Sequence, residues 1–282
     1  MHAAYYEQNG PAREVLKLSD LDTPRPGPGE VRVKLATSGV NPSDVKARSG
    51  STRKIAYPRV IPHSDGAGEI DMVGDGVSAA RLGERVWVWN AQWLRAFGTC
   101  AEYVTLPSTQ AIGLPANTSF EVGACLGIPA MTAYHAVAVS RAAPGARLLI
   151  AGGAGAVGHY AVQFAKATGA TVITTISSPQ KAAAARAAGA DHTIDYKHEP
   201  VGERVMAMTD NKGVDAIVEL DVAGNAKIIP QVLRERGIVV VYGTGARVRN
   251  PVDVLFAQRH HIAVHLCVRT RQHRARRRAC RH

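Results

Sequence analysis

Several things are scarce in this chain of 282 residues, and each scarcity removes a class of function. The four cysteines (Cys100, Cys125, Cys267, Cys280) form no C-x-x-C pair and are too few for a disulfide framework. Neither a structural zinc lobe nor a redox dithiol is expected, and Cys125 reads as a small core residue. The eleven histidines are scattered, so no metal site is expected either. No apolar run reaches the ~20 residues that cross a bilayer, and Met1-His2-Ala3-Ala4-Tyr5 lacks the plan of a signal peptide. A cytoplasmic protein with no membrane partner is the expectation. Acids stop at Asp253, while seven arginines crowd into 265–282. Without that tail 27 basic residues face 23 acidic ones, so the net charge of +11 falls to +4 and the excess is local.

What is present is globular: 46% apolar and 20% charged residues, with length for two domains. The organising stretch is Leu148 to Gly158. An apolar run, Leu148-Leu149-Ile150-Ala151, breaks into Gly153-Ala154-Gly155-Ala156-Val157-Gly158, and a helical pattern follows from His159 to Gly169. Strand, glycine turn and helix in that order form a dinucleotide site: one glycine makes the turn, one admits the pyrophosphate, one packs helix on strand. The helix N-terminus adds unpaired N–H groups and the positive end of a dipole.

Before this stretch, up to residue 118, the chain reads as many short strands with frequent Gly and Pro: His2–Tyr6, Glu14–Leu18, Val31–Leu35, Gly66–Val73, Arg85–Trp89 and Cys100–Leu106. Around Ser119 the period turns helical, with Phe120, Ala124, Ile128, Met131 and Val137 on one or two bridging helices. From Arg147 strands alternate with helices. The expected strands are Thr171–Ile176, His192–Tyr196, Val214–Leu220, Ile238–Tyr242 and His261–Leu266; the expected helices are Pro179–Ala188, Val201–Met208, Ala226–Arg236 and 251–258. Six strands with crossovers make an α/β doubly wound sheet. The domains are therefore 1–118, 119–266 and a tail at 267–282.

Where an NAD site places an acid to hold the ribose 2′-hydroxyl, this chain has Thr174-Thr175-Ile176-Ser177-Ser178 with Lys181 beyond. Hydroxyls and a cation suit a 2′-phosphate, so NADPH is the expected cofactor. The alternative is that Ser178-Pro179 merely starts the next helix with Lys181 solvated, and Ser177 or Ser178 could do both jobs.

Four stretches in this order and spacing carry a resemblance: Gly39-Val40-Asn41-Pro42-Ser43-Asp44, Pro62-His63-Ser64-Asp65-Gly66-Ala67-Gly68, Gly127-Ile128-Pro129-Ala130-Met131-Thr132-Ala133-Tyr134 and the glycine loop. Together they resemble the zinc-independent, zeta-crystallin-like quinone oxidoreductase branch of the medium-chain dehydrogenase/reductase superfamily. The resemblance implies a GroES-like β-barrel domain followed by a Rossmann domain, with cofactor and substrate between them. It places the zinc ligands of the related alcohol dehydrogenases at Asn41, Ser64 and Ile128, none a good zinc donor. It implies hydride transfer from NADPH to a quinone, or, on the same scaffold, to an enone or enoyl group. Asn41 and Thr132 would lie near the nicotinamide and its ribose. Gly155, Ala156 and Val157 would meet the pyrophosphate, with Gly153 and Gly158 the other cofactor-binding glycines of the loop; Ser177, Lys181 and Tyr196 would surround the 2′-phosphate; Gly243 and Thr244 would close over the cofactor. Many relatives have a tyrosine where this chain has Lys46, so Asn41 and Lys46 stand as the active-site residues, with Tyr57 as a substitute for the tyrosine. Relatives also pair as homodimers.

The resemblance ends near Val264. The C-terminal return to the first domain is missing, and Arg269 to His282 takes its place without hydrophobic period or acid. A frameshift is the expectation, checked by resequencing the locus. A functional tail binding nucleic acid, or an inactive cofactor-binding relative, are the readings from outside the enzymes; the tail lacks interleaved aromatics, which disfavours nucleic acid.

Overall fold

The computed structural model describes residues 1–243 and the backbone of 263–266. The expected helix 251–258, Thr244 and the tail 267–282 lie outside the described residues. Chain contacts divide into two units, Met1–Met131 and Thr132–His282.

The first unit opens with strand β1 (His2–Tyr5), a helical turn α1 (Ala12–Val15) and strand β2 (Lys17–Asp20), which pairs antiparallel with β1. Then come β3 (Glu30–Gly39), α2 (Pro42–Ser49), β4 (Asp65–Val73), β5 (Arg85–Val88), β6 (Tyr103–Pro107), β7 (Ala111–Gly113) and α3 (Phe120–Gly123). Strands β6-β3-β4-β5-β7 form an antiparallel sheet in that order. Alternation puts Val31, Val33, Ile70, Val86, Val88, Val104 and Leu106 in one core. Each such side chain stabilises the unit by about 1.5–3 kcal/mol when fully buried. Register breaks at Arg32/Val33 and Leu35/Thr37 bend β3, which delivers Asn41 next to the start of β4.

The second unit alternates helix and strand: α4 (Met131–Val139), β8 (Arg147–Ile150), α5 (Ala156–Ala167), β9 (Thr171–Ile176), α6 (Pro179–Ala187), β10 (His192–Asp195), α7 (Val201–Met208), β11 (Val214–Glu219), α8 (Ile229–Val232), β12 (Leu233–Val241) and β13 (Ala263–Leu266). All six strands are parallel, in the order β10-β9-β8-β11-β12-β13. Both faces are covered, as parallel sheets require. Leu148, Ile150, Val172, Val218 and Val240 pack with Ala161, Val162 and Ala165 of α5, whereas Leu149, Ile173, Ile217 and Val239 pack with Val205 and Ile229. The chain winds outward in both directions from the β8–β11 pair, where ligands bind in such sheets.

Several expectations need correction. Glu14–Leu18 is no strand: Pro11, at φ −61°, precedes a helical turn, and β2 begins only at Lys17. The helix expected over Ala226–Arg236 shrinks to the single turn α8. Pro230 stands in its first turn, and Leu233 already pairs with Val214 in the sheet. Around Arg236, at φ 59°, the pairing register of this strand with β11 shifts, from Leu233 opposite Val214 to Ile238 opposite Ala216. The bridge after Ser119 is three pieces, with a wide turn at Leu126–Ala130 around Pro129 between α3 and α4. Strand β6 starts three residues later than expected, at Tyr103, and β7 and α2 were unforeseen. Cys125 is exposed, at the end of α3, and is no core residue.

Candidate functional site

The glycine loop stands at the carboxyl end of β8 and starts α5. Its glycines divide the work differently from the expected assignment. The left-handed turn falls on Gly152, at φ 68°, one residue before the six-residue pattern. A Cβ on Gly153 would overlap Thr174 Oγ1, and one on Gly158 would overlap the Gly152 carbonyl oxygen, so these two serve packing. Gly155 meets nothing closer than 3.1 Å and forms the N-cap of α5, where no side chain caps the helix. The loop is tied to β9: Gly152 N–H donates to Thr175 Oγ1 (3.0 Å) and Gly153 N–H to the Thr175 carbonyl (3.2 Å). The first-turn amides of Ala156, Val157 and Gly158 precede any intrahelical acceptor and are left for an anion.

Gly155 opens onto a cavity of about 490 Å³ at the carboxyl ends of β8, β9, β10 and β11. On one side it is lined by Ser177, Lys181 and Tyr196; on the other by Leu220, Asp221, Asn225, Ile228 and Ile229, with Glu219 at its floor. Local sequence explains the first side. Ser178 is the N-cap of α6, accepting the Lys181 N–H (3.3 Å), so Ser178 caps and Ser177 faces the cavity. Lys181 Nζ donates to Ser177 Oγ at 3.0 Å, and the Tyr196 N–H holds the Ile176 carbonyl at 3.2 Å. Ser177 and Lys181, four residues apart, thus meet Tyr196 from the next strand end as a hydroxyl, a cation and a phenol.

The second side was missed by sequence reading. Glu219 is 2% exposed; its Oε1 accepts the Asp221 N–H (2.6 Å), and the Asn225 amide nitrogen spans both its oxygens at 3.0 and 3.1 Å. Burial pushes its carboxyl above the usual range, the hydrogen bonds pulling the other way. An acid closing the apolar strand Val214–Leu220 was the available signal. Gly243 lies beside the carbonyl of Leu220, too close for a Cβ, and Thr132 is half-buried in the first turn of α4.

In the first unit Asn41 is buried at the N-cap of α2, its N–H held by Asp44 Oδ2 (2.8 Å). Its amide nitrogen donates to Asp65 Oδ2 at 2.7 Å, and the Ile128 N–H reaches the same oxygen at 2.8 Å. Asp65 Oδ1 is buried without a partner, against Gly127. Burial lifts the Asp65 carboxyl to about 7 and that of Asp44 to about 6. Lys46 is exposed on the far turn of α2, and Tyr57 donates its hydroxyl to the Leu94 carbonyl (2.7 Å).

Comparison with known proteins fits this geometry. Residues 27–116 match the alcohol dehydrogenase GroES-like domain, and residues 156–279 match the zinc-binding dehydrogenase domain. A quinone oxidoreductase of Rattus norvegicus is 35% identical over 271 residues, covering 95% of this chain and 80% of the relative. A 2-haloacrylate reductase of a Burkholderia species is 30% identical over 260 residues, covering 90% and 76%. The structure of Escherichia coli quinone oxidoreductase complexed with NADPH superposes with a TM-score of 0.81 at 26% identity, covering 94% of this chain and 81% of that one.

Proposed function

This chain belongs to the medium-chain dehydrogenase/reductase superfamily, with the quinone oxidoreductases, and from that premise we propose that it reduces quinones with NADPH. When bound, the cofactor supplies a hydride to the quinone ring system, and a proton completes the hydroquinone. The chain's own part is to bind, orient and select. Gly155 and the first amides of α5 receive the pyrophosphate, with Gly153 and Gly158 fixing the loop behind them. Ser177, Lys181 and Tyr196 receive the 2′-phosphate, which a ribose lacking it would leave unpaired. Thr132, Gly243 and Thr244 are the further cofactor residues in this reading, and Asn41 and Lys46 the acceptor-side residues. The observation that carries it is the convergence of Gly155, Ser177, Lys181 and Tyr196 on one cavity.

Zinc does not fit the donors present. The Asn41 amide nitrogen and the Ile128 N–H, at two of the positions that the resemblance gives for zinc ligands, both donate to Asp65. The 2-haloacrylate reductase relative favours an activated alkene as the alternative acceptor. No described helix is long and apolar enough to cross a membrane.

NADPH oxidation with 1,4-benzoquinone, beside NADH and beside an enone, tests the reading. Turnover preferring NADPH is expected. Lys181→Ala should raise the KM for NADPH by about tenfold, the scale of one charge-assisted contact, and leave the KM for NADH unchanged. Equal effects on both cofactors would remove the 2′-phosphate from this corner.

A further inference from the structure

The cavity wall behind β11 is built for something the phosphate groups do not use. Leu220, Ile228 and Ile229 make an apolar slot, and Asn225 is a polar group set beside it. The Asn225 amide nitrogen is turned onto Glu219, contacting both carboxylate oxygens, and Glu219 is itself fixed by the Asp221 N–H. A carboxylate only accepts, so it can hold the nitrogen end of the amide and not the oxygen end. The oxygen must point away from Glu219, and among the described residues no donor reaches it.

We infer that Asn225, oriented by Glu219, selects the base of the dinucleotide by offering its amide oxygen to the 6-amino group of adenine. This rests on the proposed cofactor reading and adds the base to it. The lining residues agree: Gly155 at the helix N-terminus for the pyrophosphate, Ser177 and Lys181 for the 2′-phosphate, and Leu220, Ile228 and Asn225 for the base. The neighbouring Asp221 already takes the Gly224 N–H on Oδ1 (3.1 Å). A base with a 6-oxo group would bring acceptor against acceptor, and buried polar groups left unpaired reject a ligand more strongly than lost apolar contact does.

The test is equilibrium binding by calorimetry, with no turnover needed, of NADPH and its hypoxanthine analogue, which carries oxygen in place of the 6-amino group. The full chain should prefer NADPH by about tenfold or more, the scale of one satisfied against one unsatisfied hydrogen bond. In Glu219→Gln the new amide nitrogen can donate to the Asn225 oxygen and reverse the Asn225 amide. The preference should then fall to unity or invert. Asn225→Ala, on a half-buried turn, should bring the ratio to about one with NADPH still bound. Equal binding of the two nucleotides by the unaltered chain overturns the inference alone. Loss of the preference in Asp221→Asn but not in Asn225→Ala would move base selection to Asp221 and also overturn it. Failure of the unaltered chain to bind NADPH overturns both this inference and the cofactor reading.

Discussion

Gly155→Ala is expected to leave the protein folded and weaken NADPH binding by an order of magnitude or more, whereas Gly158→Ala should damage the fold itself. The two positions look alike in the sequence and differ in what surrounds them. At Gly155 the nearest atom to an added Cβ is the Gly152 oxygen at 3.1 Å, and the backbone is extended at φ −81°. The folding cost of alanine at this N-cap is then under about 1 kcal/mol. The methyl group would instead stand where the pyrophosphate approaches. At Gly158 the added carbon overlaps the Gly152 carbonyl, which is backbone and cannot swing aside. Overpacking of this kind costs about 1–3 kcal/mol. Thermal melts and NADPH titrations on the two variants, side by side, should separate them. Unchanged NADPH affinity in Gly155→Ala would place the pyrophosphate elsewhere.

Asp65→Asn is expected to remove the larger part of a loss of stability that the unaltered protein shows on raising the pH from 5 to 8. The sign follows from burial. Asp65 titrates near 7 in the folded chain against an ordinary value of 3.8, because its carboxylate has left water with one oxygen unpartnered. Below pH 4 both states carry the proton and the group costs nothing. Between about 4 and 7 the unfolded chain releases it while the folded chain holds it, so stability falls as the pH rises. Three units correspond to about 4 kcal/mol as a ceiling. Asparagine keeps an oxygen for the Asn41 and Ile128 donors and has no proton to release. Asp44 contributes with the same sign, so the quantity to measure is the difference between the two proteins in urea midpoints at pH 5 and pH 8. An identical pH dependence in both would show that Asp65 does not titrate in this window.

The features legible in the sequence were those written in contiguous residues. Strand, glycine loop and helix at Leu148–Gly169 follow from local pattern, as do the end of β9 and the cap of α6. Even there the turn itself sat at Gly152, outside the recognised spacing, because only the left-handed backbone and not the count of glycines decides it. Glu219, Leu220 and Asn225 were not legible. They reach the cavity because Ala216 pairs with Leu148 across the sheet, and nothing in either segment names the other. Asp65 likewise finds the Ile128 N–H 63 residues later in the chain. The false helix at Ala226–Arg236 had the right apolar spacing. Sheet pairing of Leu233 and the left-handed Arg236 overrode it, tertiary context prevailing over a weak local preference.

The β8–β11 ladder that floors the cavity also sets when the cavity comes into being. Closing it means bringing together two strands with β9, α5, α6, β10 and α7 strung between them, and so ordering a long loop before any parallel pairing rewards it. A ligand that touches both strands has nothing to bind until that closure is done. NADPH should therefore act on the way out of the native state rather than on the way in: saturating cofactor should slow unfolding in proportion to its occupancy and leave the refolding rate unchanged. Stopped-flow unfolding and refolding with and without NADPH would show it, and faster refolding with cofactor would mean that the cavity forms before the ladder closes. For a chain of this topology, the cofactor becomes a kinetic lock on a finished fold rather than a template for making it.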